Sequence, residues 1–165
     1  MEIRPLRIED AETYKNIRLE ALRLHPENFG ASFEEEKDYT VELYKERFAK
    51  EDAITFGAFE NSELVGTVTL VKQKRNKLKH KAEIVAMYVI PEKRGNGFAK
   101  MLLKTTIQQA KRTQGIEQIN LTVVSTNVSA KRLYDSLGFE QFGVEKRALK
   151  VGQAYFDEIH MVLFL

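Results

Sequence analysis

The segment Val89–Leu103, VIPEKRGNGFAKMLL, constrains this chain more than any other. An apolar strand runs into Pro91, a short turn follows through Arg94-Gly95-Asn96-Gly97, and an amphipathic helix begins. Glycines at a strand-to-helix turn leave backbone N–H groups uncovered. The helix that follows aims its orphan N–H groups and the positive end of its dipole at the same point. This is an anion site, and its commonest biological guest is a phosphate or pyrophosphate. The segment therefore implies a phosphorylated ligand and a fold that brings a strand end and a helix start together.

Three phosphate-loop patterns compete for this turn. A Walker A loop needs Lys-Ser/Thr after its second glycine, but Phe98-Ala99 follow here. A dinucleotide fingerprint accepts Gly95 and Gly97, but position 100 is Lys and no acid-tipped second strand completes a βαβ unit. The pattern R/Q-x-x-G-x-G/A is matched in full by Arg94 through Ala99. It resembles the pyrophosphate loop of the GNAT superfamily of N-acetyltransferases, which bind acyl-coenzyme A. A second stretch, Asn127-Val128-Ser129-Ala130-Lys131-Arg132-Leu133-Tyr134-Asp135-Ser136-Leu137-Gly138-Phe139, is similar to the N-x-x-A-x-x-L-Y-x-x-x-G-F signature of the same family. Local chemistry supports its placement on a helix. Asn127 and Ser129 suit a helix start, Ala130, Leu133, Tyr134 and Leu137 recur at helical spacing, and Gly138 suits the left-handed residue after the end. Asn127 and Tyr134 are about two turns apart, so they share a face. The resemblance covers essentially the whole chain.

Length and composition agree. The 165 residues make one expected domain, 1–165, with room for a proper core, and 43% hydrophobic against 30% charged residues exclude a disordered chain. A net charge of +2 is too small to argue for nucleic acid. With no cysteine there is no disulfide, thiolate metal ligand or thiol nucleophile, which suits a cytoplasmic protein. No apolar run approaches membrane-spanning length, and the start MEIRPLRIED lacks a signal-peptide core. The three histidines, His25, His80 and His160, are too scattered for a metal site.

The periodicity reads as α+β without linker or repeat. Strands are expected at Glu2–Leu6, Ala53–Glu60, Leu64–Lys72, Ala82–Ile90, Gln118–Val124, Glu140–Val144 and Ala154–Phe164. Helices are expected after Asp10 through Leu24 and over Thr40–Ala49, Gly97–Gln114 and Ser129–Leu137, while Pro26–Tyr39 reads as an acidic loop. The resemblance implies the arrangement of these elements. It is a mixed, mostly antiparallel central sheet of about seven strands, flanked by about four helices and splayed between the fourth and fifth strands. Acyl-CoA lies in that splay.

The resemblance also assigns roles. Backbone N–H groups from Arg94, Gly95, Asn96, Gly97, Phe98 and Ala99 would hold the pyrophosphate, with the Arg94 side chain adding a charge-assisted contact. Met87, Tyr88 and Val89 would pair their backbone with the pantetheine arm like an added strand. Asn127, with Ser129 close by, would bond that arm, and Lys131 and Arg132 would lie near the phosphates. Tyr134 would protonate the departing thiolate, while also completing an apolar helix stripe. Glu83 would be the base that frees the acceptor amine, through water. In a regular strand it shares a face with Met87, a parity that a bulge would disturb. The oxyanion would meet a backbone N–H of the same strand.

Other features have plainer readings. The lysine-rich stretch Lys72–Lys81 lacks interleaved aromatics and reads as a solvated hairpin tip rather than an RNA surface. Glu34-Glu35-Glu36 with Asp38 reads as a solvated loop, although it falls where acceptor-binding segments lie in the family. Tyr155, Asp157 and Glu158 could line the acceptor side. The expected activity is acetyl transfer from acetyl-CoA to a primary amine without a metal, by a monomer or homodimer that needs neither nucleic acid nor membrane. A non-catalytic acyl-CoA-binding regulatory or interaction module is the alternative.

Overall fold

In the computed structural model, which describes residues 1–165, one seven-stranded sheet runs through the chain. Its strands are β1 (Glu2–Pro5), β2 (Ala53–Glu60), β3 (Glu63–Lys72), β4 (Lys81–Val89), β5 (Gln118–Val124), β6 (Glu140–Val151) and β7 (Ala154–Phe164). They lie in the order β1-β2-β3-β4-β5-β7-β6, antiparallel throughout except for the β4–β5 pair. The helices are α1 (Ala11–Leu24), α2 (Phe33–Glu36), α3 (Val41–Phe48), α4 (Phe98–Arg112) and α5 (Val128–Ser136). The β2–β3 connection is a two-residue turn in which Asn61 and Ser62 both take positive φ, 50° and 68°. That is the geometry whose twist matches a hairpin.

Two expectations need correction. The segment Pro26–Tyr39 is not all loop, because the one-turn helix α2 forms inside it. Ser32 caps it by accepting from the Glu35 N–H, while the Glu35 carboxylate accepts from the Ser32 N–H and hydroxyl. This S-x-x-E capping box was legible in the sequence, but only a single turn follows it, too short to show periodicity. Strand β6 continues seven residues past the expected Val144, to Val151. Register shifts at Gln141/Gly143 and Glu145/Leu149, with Arg147 at φ 54°, scramble its alternation.

The sheet buries both faces over its first four strands. On one face α4 inserts Phe98, Leu102, Leu103, Ile107 and Ala110 against Phe56, Val68, Leu70 and Ile84, and the cluster continues through Tyr134 and Phe139 to Ile119, Leu121, Ile159 and Met161. On the other, Tyr14, Ile17 and Ala21 of α1 and Tyr44 of α3 pack on Leu6, Phe59, Leu64 and Tyr88. Each fully buried leucine or phenylalanine contributes about 1.5–3 kcal/mol, so these clusters set the positions of α4 and α5.

The parallel pairing is brief. β4 and β5 match only at Lys81↔Gln118, Ala82↔Ile119 and Glu83↔Asn120, and then separate. β4 changes register against β3 between Thr67 and Thr69, where Ala86 sits at φ 53°. An extra residue in a strand raises its twist and bends it, which carries β4 away from β5.

Candidate active site

The mouth of the splay is the glycine turn. A 3-10 turn at Pro91–Lys93 is closed by Lys93 N–H and Arg94 N–H donating to the carbonyls of Ile90 and Pro91. Gly95 (φ 80°) and Gly97 (φ 84°) then adopt left-handed conformations, and Gly97 precedes α4 without a side-chain cap. No backbone or side-chain acceptor meets the N–H groups from Gly95 to Lys100. A Cβ added at Gly95 or Gly97 would meet nothing within 4 Å, so the space over these amides is open. Phe98, buried in the core, anchors the start of α4 behind them.

The splay forms a cleft of about 520 Å³. Of the residues expected to hold the cofactor, Met87, Tyr88, Val89, Arg94, Gly95, Gly97, Phe98, Ala99, Asn127 and Ser129 line it, as does Tyr134. Asn96, Lys131 and Arg132 do not. The Asn96 side chain donates to the Lys93 carbonyl, and Lys131 pairs with Asp135 one turn along α5. Asn127 accepts from the Ala130 N–H and the Ser129 hydroxyl, leaving its own NH₂ undonated.

Tyr134 is only 6% exposed and packs edge-on against Phe139 at 5.9 Å between ring centroids. Its hydroxyl has no protein partner, yet it is not sealed from the cleft. Burial pushes its pKa up to about 12, so at neutral pH it is a phenol that can give a proton. Core packing and cleft lining coexist in this one side chain.

Glu83 lies elsewhere. Ala82, Ile84 and Val89 pack in the α4-side core with Met87 against it, so the bulge reverses the regular parity and Glu83 faces away from Met87. It lines a separate hollow with Asn120, Phe142 and His160, and this hollow shares Thr122 with the cleft. Nearby, Glu145 and Glu158 stand directly opposite each other across the β6–β7 pair. Burial, and then the Glu145 charge, raise the Glu158 pKa above the usual carboxylate range. Tyr155 is exposed beside Arg147 and Lys150, while Asp157 accepts from the Arg147 N–H and Lys146.

The acidic segment is not a free anionic loop. Glu34 pairs with Lys37, Glu35 is used in the capping box, and Glu36 is 4% exposed. Arg18 Nε and Nη2 donate to the two Glu36 oxygens at 3.1 and 3.0 Å, and the buried Tyr44 hydroxyl donates at 3.1 Å. Burial alone would raise the Glu36 pKa, but the Arg18 hydrogen bonds overcome it and hold the carboxyl below its ordinary value. The turn that precedes this segment supplies cleft wall that periodicity did not reveal, since His25, Glu27, Asn28 and Phe29 all line the cleft.

The family model for the acetyltransferase (GNAT) domain matches residues 3–160. The probable N-acetyltransferase YjcK of Bacillus subtilis is 27% identical over 98% of this chain and 91% of that protein. The mycothiol acetyltransferase of Brachybacterium faecium is 29% identical over 87% of this chain. This chain spans only 42% of that relative's length. Among solved structures, the yncA protein of Salmonella typhimurium, determined with its cofactor acetyl-CoA, superposes with a TM-score of 0.85 at 20% identity, covering 99% of this chain and 93% of that one. The β4–β5 splay, the uncapped glycine turn at its mouth and a family match across nearly the whole length lead to one conclusion: the chain belongs to the GNAT family of acetyltransferases, whose acetyl donor is acetyl-CoA.

Proposed function

We propose that this protein moves the acetyl group of acetyl-CoA directly to a primary amine. The observation that carries this reading is the coincidence of the β4–β5 opening with the undonated N–H groups of Gly95–Lys100. Those amides and the α4 dipole suit a pyrophosphate. The β4 edge that faces the opening suits the amide-bearing pantetheine arm. The undonated Asn127 NH₂ offers that arm a further hydrogen bond.

The chemistry follows from where the arm would end, between β4 and Tyr134. The amine nitrogen attacks the thioester carbonyl carbon, and a backbone N–H of the bulged part of β4 stabilises the oxyanion. The carbon–sulfur bond then breaks, and the thiolate takes the Tyr134 proton. Glu83 takes one proton of the acceptor ammonium through water from the hollow that shares Thr122 with the cleft, and the proton left on nitrogen after attack restores the Tyr134 phenol. The chain has no cysteine to carry an acyl group, which favours direct transfer. The carboxylates of Glu27 in the cleft wall and of Glu83 in the adjoining hollow favour a cationic acceptor over an anionic one.

Isothermal titration with acetyl-CoA, beside dephospho-CoA, tests the binding step, and micromolar affinity is the expected result. An amine panel with thiol-release detection then tests turnover. Tight binding without amine-dependent thiol release would favour a non-catalytic acyl-CoA module, and no binding at millimolar ligand would refute the assignment of the cleft.

A further inference from the structure

The Arg94 side chain, expected to add a charge-assisted contact to phosphate, has a guanidinium that is already engaged. Nε donates to the Val89 carbonyl at 2.9 Å, and Nη2 lies 3.0 Å from His25 Nε2. The guanidinium carbon sits 5.5 Å from the Tyr88 ring centroid, and the His25 and Tyr88 rings are 6.0 Å apart. The third arm, Nη1, has no partner, and Arg94 lines the cleft.

Arginine can only donate, so His25 Nε2 must be the acceptor and the imidazole proton must sit on Nδ1. Nδ1 faces Glu27 Oε1 at 4.0 Å, which suits that tautomer. The charged and titratable groups around His25 are thus Glu27 from its own turn, Arg94 from the glycine turn and Tyr88 from β4. His25 also ends α1 and holds the following turn, its carbonyl accepting from the Asn28 N–H. Phe29 packs edge-on to Tyr88 at 6.5 Å, and the Arg18 guanidinium lies 5.3 Å from its ring centroid. His25–Phe29 is therefore a wall of the cleft tied to the glycine turn through one guanidinium.

We propose that Arg94 and His25 form a clasp that couples acetyl-CoA binding to the position of the cleft wall His25–Phe29, with His25 as its positioning residue. The proposal rests on the cleft being the acetyl-CoA site. A guanidinium is a rigid planar fork, so fixing Nε on Val89 and Nη2 on His25 fixes where Nη1 points. A phosphate oxygen held by Nη1 would in turn lock the fork, and with it His25. Coupling of this kind acts equally in both directions.

The experiment is a double-mutant cycle of His25→Ala and Arg94→Met, read by titration with acetyl-CoA. Hydrogen–deuterium exchange over residues 25–29, with and without saturating acetyl-CoA, accompanies it. His25→Ala should weaken binding about three- to ten-fold in the parent, in keeping with loss of one partly exposed charge-assisted bond, and should change nothing further in the Arg94→Met background. His25→Gln, whose side-chain oxygen can take the place of Nε2, should restore binding, and it keeps the test alive if His25→Ala fails to fold. Acetyl-CoA should slow exchange over 25–29 in the parent and His25→Gln, but not in Arg94→Met. Multiplicative losses in the cycle, or full protection of 25–29 in Arg94→Met, would overturn the clasp while leaving the cofactor site intact. Failure of the unmutated protein to bind acetyl-CoA would instead overturn the assignment of the cleft and the clasp with it.

Discussion

Glu36→Ala is the sharpest test of how the segment Phe33–Glu36 is held. The Glu36 side chain is 5% exposed, its Arg18 partner 13%, and Tyr44 is fully buried against the same carboxylate. Removing the carboxylate strands a guanidinium and a hydroxyl where water reaches neither well. Breaking a buried pair from one side costs about 3–5 kcal/mol. For a domain of this size 1 kcal/mol moves the midpoint by about 2–4 °C, so a loss near 4 kcal/mol should lower it by about 8–16 °C. Glu34→Ala is the internal control. Its side chain is 74% exposed and pairs with Lys37 on one helical turn, where solvent screens the pair. Arg18→Met combined with Glu36→Leu should recover most of the loss, because no lone charge remains buried. Thermal and urea unfolding of the four proteins read this directly. If Glu36→Ala and Glu34→Ala melt within about 1 °C of each other, the reading of Glu36 as a buried anchor fails, because surface substitutions rarely cost more than ~0.5 kcal/mol.

The remaining expectations concern pH, the proton donor, the glycine turn and the base. The Glu36 and Asp10 carboxyls are held below their unfolded values, so their contribution is complete at neutral pH and is lost as pH falls through the acid range toward their folded values. Urea midpoints should therefore drop between pH 7 and pH 3 by more in the parent than in Arg18→Met with Glu36→Leu. Tyr134→Phe should lower kcat by about 10²-fold with little change in acetyl-CoA affinity, measured by steady-state kinetics and titration, and an equal kcat would remove its acid role. Gly97→Val places a β-branched residue at φ 84° in the turn that carries the undonated amides. The backbone should cost about 1–2 kcal/mol in urea unfolding, while acetyl-CoA affinity falls by far more than that strain explains. Glu83→Gln should depress the rate most at lower pH, where free amine is scarcest, and a pH profile parallel to the parent would assign the base elsewhere.

Much of this molecule was local enough to read in one dimension. The glycine turn at 94–97, the Asn127 cap and the Gly138 stop each depend on a few neighbouring residues, and Gly95, Gly97 and Gly138 all take the positive φ their sequence context implied. The apolar stripe of α4 was equally legible, because helical spacing alone decides which residues share a face. What stayed hidden depends on pairings between distant segments. Glu36 looked like one carboxylate of a solvated run until Arg18 and Tyr44 came from α1 and α3 to surround it. His25 carried no signal of its own, since its meaning comes from Arg94, far along the chain. The single bulge at Ala86 reversed the face of Glu83 relative to Met87, and charged residues plus irregular register concealed the second half of β6. Turn chemistry and periodicity are properties of neighbours in the chain, so the sequence alone determined the glycine turn and the order of elements. Strand register and burial are properties of neighbours in space, so only the tertiary structure decided which side chains meet in the cleft.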